Sequence, residues 1–353
     1  MELRSLLLGC GAAIAALVAA AGAPVLAADP YVIYLSNNFM GNDWRQQMIR
    51  SAEITTSKGP LVDRIVLHIE QAEGTVEAQI NSLNNIIRQK PDAILIDAAS
   101  QTALNPTVRR ACDAGILVIS FDQTLTEPCA YALSVDWDYT PRVLAEWVAN
   151  KLGGKGNVII DRGLAGYEAS IATTKATEEV LAQFPDIKIV GYFNGDFAPG
   201  PEQAGVAALL AANPQVDAVL NMAYGTGAMQ ALKDAGRPMV PVTAFSFNGS
   251  AVACLETQGA SCILGSNPPY LSAEAIRMAV EILDSGARPA DRAIIVPNSF
   301  FSTEAIASKL YPEQLIQQIE SGKTAFPELS PGLFLPVSPD WIEITPQEAA
   351  GQP

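Results

Sequence analysis

Short β-branched runs alternate with helical patterns in two successive rounds, and this alternation decides what the chain can fold into. Tyr31 to Ser36 (YVIYLS) reads as a buried strand, and Asn42 or Asp43 caps the helix that follows through Trp44, Met48 and Ala52. Arg64 to Ile69 is a second strand. Thr75 then starts a helix with Val76, Ile80, Leu83 and Ile87 on one face, ahead of the strand Ala93 to Ile96. A helix ending at Gly115, a strand from Ile116 to Phe121 closed by Asp122, and a helix with Thr140 as N-cap and Pro141 at its first position complete the round. The pattern restarts at Val158 to Ile160 and continues with Ile187 to Phe193, Asp217 to Leu220, Val240 to Phe245 and Cys262 to Leu264. Two rounds of βαβ predict an α/β protein made of two doubly wound parallel-sheet domains.

Doubly wound sheets bind ligands beyond the carboxyl ends of their strands. Those ends carry Ser36-Asn37-Asn38, Asp97, Asp122-Gln123, Gly163, Asn194-Gly195-Asp196-Phe197, Asn221 and Ser246-Phe247-Asn248, a polar and aromatic set. Two such rims facing each other make a cleft. Trp44 and Phe197 are expected to cover the two faces of a ligand ring. Asn42, Arg45, Asp122, Gln123 and Asn267 on one side, with Tyr224 and Asn248 on the other, supply the polar contacts.

Composition narrows the chemistry. Acidic residues outnumber basic ones 37 to 22, for a formal net charge of −15, which argues against a nucleic-acid partner. His68 is the one histidine, so no two-His metal site can form and a Ser-His-Asp triad would hang on that residue. It sits beside Val66 and Leu67 and reads as a packed strand histidine. Gly225-Thr226-Gly227 and Gly153-Gly154 lack the phosphate-loop patterns and read as a helix start and a helix end, while Asn248-Gly249-Ser250 reads as a turn into a helix rather than a glycosylation site. No cofactor and no metal are expected. Asp122 with Asp97 or Asp136 is the paired-carboxylate set that a secreted glycoside-acting enzyme would need.

Residues 1–27 read as a cleaved signal peptide: Arg4, an apolar run from Leu6 to Leu26, and Val25-Leu26-Ala27 at the cleavage site. Losing Cys10 with it leaves Cys112, Cys129, Cys254 and Cys262, an even number in a chain bound for an oxidising compartment. Three pairings are open; two local bridges, Cys112–Cys129 and Cys254–Cys262, are the simplest, with buried free thiols as the alternative.

Several ordered segments resemble the periplasmic sugar-binding proteins of ABC importers, of the ribose-binding type. Ser36-Asn37-Asn38 with Asn42-Asp43-Trp44-Arg45 is similar to the family's first strand and aromatic element, and Ile116 to Asp122 to its strand ending in the sugar-binding Asp. Ser134-Val135-Asp136 and Gly265-Ser266-Asn267-Pro268 resemble two domain crossings, and Asp196-Phe197 resembles an aspartate-aromatic pair beside the sugar. Arg45, Gln123 and the Phe245-Ser246-Phe247-Asn248-Gly249 run depart from the family pattern. The resemblance implies the type I periplasmic-binding-protein fold with a three-crossing hinge. The expected layout is a first domain of residues 28–136 plus 267–295, a second of 137–266 plus 296–325, and a Pro-rich extension, 326–353, packed across the surface. It also implies a monomeric periplasmic protein without enzymatic activity that takes a monosaccharide or polyol to an ABC permease. A receptor-type protein partnering a membrane sensor shares this fold.

Overall fold

A computed structural model describes residues 29–302 and 328–352. The expected signal peptide, Cys10 and most of the stretch after residue 302 lie outside these residues. Two six-stranded sheets form the frame. The first contains β1 (Tyr31–Asn37), β2 (Ile65–Gln71), β3 (Ala93–Asp97), β4 (Leu117–Phe121), β5 (Tyr131–Ser134) and β11 (Ala293–Ile295), in the order β11-β5-β4-β3-β1-β2, all parallel. The second contains β6 (Lys155–Asp161), β7 (Asp186–Phe193), β8 (Ala218–Leu220), β9 (Pro241–Phe245), β10 (Ser261–Gly265) and β12 (Phe300–Ser302), in the order β12-β10-β9-β8-β6-β7, with β12 antiparallel. The chain passes between sheets after β5, after β10 and again in the four residues between β11 and β12.

Strand periodicity sorts the core onto the two faces of each sheet. In β3, Ala93 and Leu95 join the cluster under α1 (Asp43–Ser57) and α9 (Leu271–Ser285), while Ile94 and Ile96 join that under α2 (Val76–Gln89) and α3 (Asn105–Asp113). In β6, Val158 and Ile160 face α4 (Tyr139–Lys151) and α5 (Glu168–Leu181). Ile159 faces α6 (Pro199–Ala212), α7 (Thr226–Asp234) and α8 (Asn248–Glu256). Both cysteine pairs are bridged, Cys112 to Cys129 and Cys254 to Cys262.

Two local expectations are corrected. Thr140 does not cap α4; the helix begins at Tyr139, and Asp136 Oδ1 instead accepts from the amides of Asp138 (3.0 Å) and Tyr139 (2.8 Å). A carboxylate at that point meets two otherwise orphaned amides and the positive end of the helix. His68 is not packed in the core. It lies on β2, at the edge of its sheet, exposed and stacked on Tyr34 with centroids 4.6 Å apart.

The C-terminal segment packs more deeply than a surface extension. Leu333, Leu335, Ile342 and Ile344 are buried with the second sheet's helices, and Phe334 is buried with Trp44 and Phe247. It closes in α10 (Pro346–Ala350), whose Thr345 and Glu348 form a capping box. Lys58 pairs with Glu348 at 2.7 Å, and the indole of Trp341 donates to Glu274 at 2.8 Å.

Candidate functional site

The carboxyl ends of the two sheets meet around a cavity of about 110 Å³. Asn42, Trp44, Arg45, Asp122, Gln123, Phe197, Tyr224 and Asn267 all line it. Asn248 does not. Its amide group donates to Leu329 O and Ser330 O, and its main-chain N–H to Leu333 O at 2.6 Å, so it is committed to the C-terminal segment.

On the first sheet one cation gathers three strand ends. Asn42 Oδ1 caps α1 by accepting from Arg45 N, which sets the first turn against the cavity. From that turn the Arg45 guanidinium, 2% exposed, pairs with Asp97 at the end of β3 and donates to Asn37 Oδ1 on β1 at 3.0 Å. Its Nη2 stands 3.9 Å from Asp122 Oδ2 after β4 and reaches the Tyr167 hydroxyl at 3.5 Å. The guanidinium also lies 4.9 Å from the Phe39 ring centroid and 5.2 Å from that of Trp44, within cation–π range. The indole of Trp44 donates to Asn267 O at 2.9 Å, which holds the ring at the cavity wall.

Asp122 is held in the left-handed region at φ 56°, and Phe197 at φ 52° follows Asp196 at φ 49°. Such strain in residues other than glycine concentrates where surrounding structure imposes it, commonly at ligand sites. Burial pushes the Asp122 carboxyl above its ordinary pKa, opposed by Arg45 and by hydrogen bonds from Asn267 and Gln123. Tyr167, desolvated in the same wall, is raised as well.

On the second sheet an anion does the gathering. Asp161, at the end of β6 and 2% exposed, accepts from Gly163 N (2.8 Å), Gly195 N (2.7 Å) and Met222 N (3.4 Å). Those three loops carry Leu164 and Tyr167, Phe197, and Met222 to Tyr224 into the cavity wall. A Cβ on Gly195 would lie 2.6 Å from Asp161 Oδ2, so the close approach requires glycine there. Burial raises the Asp161 pKa against its three amide donors.

Ten lining residues lay outside the site expected from sequence, among them Phe39, Trp137, Tyr167 and Phe334. Trp137 directly follows Asp136 at the first crossing and Tyr167 directly follows the Gly163–Gly166 loop, positions that pointed at the cleft. Phe334 carries no local signal. Two fully buried side-chain atoms of lining residues have no hydrogen-bond partner among the described residues: the Trp137 Nε1 donor and the Asn267 Oδ1 acceptor. Buried unpaired polar atoms are rare and call for an explanation. Among the described residues no group of His, Cys, Asp or Glu could hold a metal ion, and no helix is long and apolar enough to cross a membrane.

The profile of the family described as periplasmic binding protein domain matches residues 33–287. A xylitol-binding protein of Mycolicibacterium smegmatis is 31% identical over 187 residues, covering 51% of this chain and 53% of that protein. A galactofuranose-binding protein of Escherichia coli is 26% identical over 231 residues, 62% of this chain and 71% of that one. The chain thus spans about half the length of the first of these relatives. The crystal structure of an ABC transporter solute binding protein from Thermobispora bispora superposes with a TM-score of 0.68 at 28% identity, covering 84% of this chain and 98% of that one.

Proposed function

The chain belongs to the periplasmic binding protein domain family, and from that premise we propose that it captures a monosaccharide or polyol in the cleft between its sheets and passes it to an ABC permease. The observation that carries this reading is the pairing of an unfilled donor, Trp137 Nε1, with an unfilled acceptor, Asn267 Oδ1, inside a largely aromatic wall. A hydroxyl both donates and accepts, so a polyhydroxylated ligand satisfies both atoms while its C–H face lies on Trp44 or Phe197. Arg45 and Asp122 offer charge-assisted hydrogen bonds to further hydroxyls. A cavity of about 110 Å³ suits a small solute. The xylitol- and galactofuranose-binding relatives support the same ligand class.

In this reading residues 28–136 plus 267–295 and residues 137–266 plus 296–325 are two domains that close on the solute by hinge motion. The family is extracytoplasmic; we place this protein in the periplasm after removal of residues 1–27, where the two disulfides persist. The protein releases its ligand unchanged: Asp97 and Asp122, the paired carboxylates available for hydrolysis, both flank Arg45 and serve to hold it.

The test is calorimetry over pentoses, hexoses and polyols, with chromatography of each mixture for products. Binding of one class without product is expected, weakened about tenfold or more by Asp122→Ala, the loss of one charge-assisted hydrogen bond. Trp44→Ala acts likewise through lost stacking. Product formation, or a ligand bound equally well by both variants, overturns the reading.

A further inference from the structure

The wall residue with the least expected origin is Phe334, which reaches the cavity from the C-terminal segment, beyond the residues matched by the family profile. Its ring, 5% exposed, lies 3.7 Å centroid to centroid from Phe247, which in turn stacks on Tyr224 at 3.9 Å. The three rings make one continuous aromatic surface.

The segment holds Phe334 from both sides of the cleft. The Phe334 amide donates to Gln47 Oε1 at 2.9 Å, and Gln47 Nε2 donates to Gly332 O at 2.8 Å, so the buried α1 glutamine clasps the backbone on either side of Leu333, just ahead of the ring. Across the cleft, Asn248 N donates to Leu333 O at 2.6 Å and Leu335 N to Ser246 O at 2.8 Å, which fixes the two neighbours of Phe334 to the β9–α8 turn. Gly332 packs so close to Asp43 that a Cβ there would collide with the carboxylate. A ring anchored through its own amide and both neighbours yields little to a larger ligand, because packed interiors resist added volume.

We propose that Phe334 is the specificity-determining residue of this site: it fills the corner that a hydroxymethyl substituent would occupy and so restricts the ligand to a compact sugar or polyol. Gln47 is the residue that positions it. The inference rests on the solute-binding reading above.

Three pairs of aldoses test it, because in the pyranose form each hexose is the pentose plus one exocyclic hydroxymethyl group: D-ribose with D-allose, D-xylose with D-glucose, and L-arabinose with D-galactose. Affinities are measured by calorimetry for the parent, Phe334→Ala and Phe334→Leu, with circular dichroism to confirm folding. The parent is expected to prefer the pentose in any pair it binds. Phe334→Ala shifts the pentose-to-hexose ratio toward the hexose by about tenfold or more, and Phe334→Leu, which keeps an apolar wall, shifts it less. A purely structural role would weaken both members of a pair equally and leave the ratio unchanged. An unchanged ratio, or a parent that prefers the hexose in every pair it binds, overturns this inference alone. A parent that binds none of the six sugars nor any polyol overturns the solute-binding reading together with it.

Discussion

Replacing Arg45 with methionine removes the one cation that serves two buried carboxylates, Asp97 at 0% and Asp122 at 6% exposure. At the 3.9 Å separating Arg45 Nη2 from Asp122 Oδ2, Coulomb attraction is about 4 kcal/mol for an effective dielectric of about 20. Deleting one partner of a buried pair typically destabilises by about 3–5 kcal/mol, because the other charge is left uncompensated. We expect Arg45→Met to lose about that much at neutral pH, read as a lower midpoint in urea denaturation. The sign of the pH dependence follows from linkage. Burial already raises the Asp122 pKa, and without Arg45 its carboxyl retains a proton that the unfolded chain releases, so the folded state binds more protons and variant stability falls as pH rises. The deficit against the parent therefore shrinks as the buffer is taken from neutral toward about pH 4. Adding Asp97→Asn to the variant recovers part of the loss at neutral pH. A variant as stable as the parent at neutral pH, or a deficit that stays constant on acidification, would refute the charge assignment.

Glu202 lies under the start of α7, accepting from Gly225 N at 3.1 Å and Ala228 N at 2.9 Å, and burial pushes its pKa from 4.5 up to about 7. Its contribution to stability is therefore full below about pH 4.5 and declines up to about pH 7; Glu202→Gln should flatten Tm against pH in that window, and an unchanged slope would exclude this group as the source. Replacing Cys112 and Cys129, separated by 17 residues, with serine is expected to lower stability by about 3 kcal/mol. The same change at Cys254 and Cys262, separated by 8, should lower it by about 2.5 kcal/mol, and unaltered urea midpoints would contradict both. Trp137→Phe deletes an indole N–H that has no partner among the described residues, so it should leave the stability of the ligand-free protein unchanged or raised while weakening ligand binding about fivefold or more. A loss of stability with affinity intact would place that N–H outside the site.

Nine of the described strands were legible as compact apolar runs between helical patterns, the run read at Tyr31 to Ser36 becoming Tyr31–Asn37 and that at Val240 to Phe245 becoming Pro241–Phe245, whereas the short β5, β11 and β12 were not read. The first-sheet half of the cavity was legible for a related reason. Asn42, Trp44, Arg45, Asp122 and Gln123 sit next to strand ends or helix starts, so local sequence fixes where they go. Asn248 occupies an equally suggestive place after β9, yet its polar group is taken by a segment about eighty residues further along. Phe334 was invisible for the same cause: only tertiary packing brings it to the wall. Asp161 drew no notice in the sequence because its task, accepting three main-chain amides from separate loops, leaves no periodic trace. His68 shows the reverse error, a β-branched setting that suggested burial on what proved to be an edge strand.

Two of the three links between the sheets are stitched together. Ser266 N donates to Ser299 O at 2.8 Å, Ser299 N to Ser266 Oγ at 2.7 Å and Asn298 Nδ2 to Ser266 O at 3.0 Å. Joined by these three bonds, the two links move as a pair in the closing motion proposed above. The link from Ile295 to Phe300 is also short, and fully drawn out its five virtual bonds reach only about 17 Å. In the proposed closing motion this link therefore sets an upper limit on how far the ends of β11 and β12 can part.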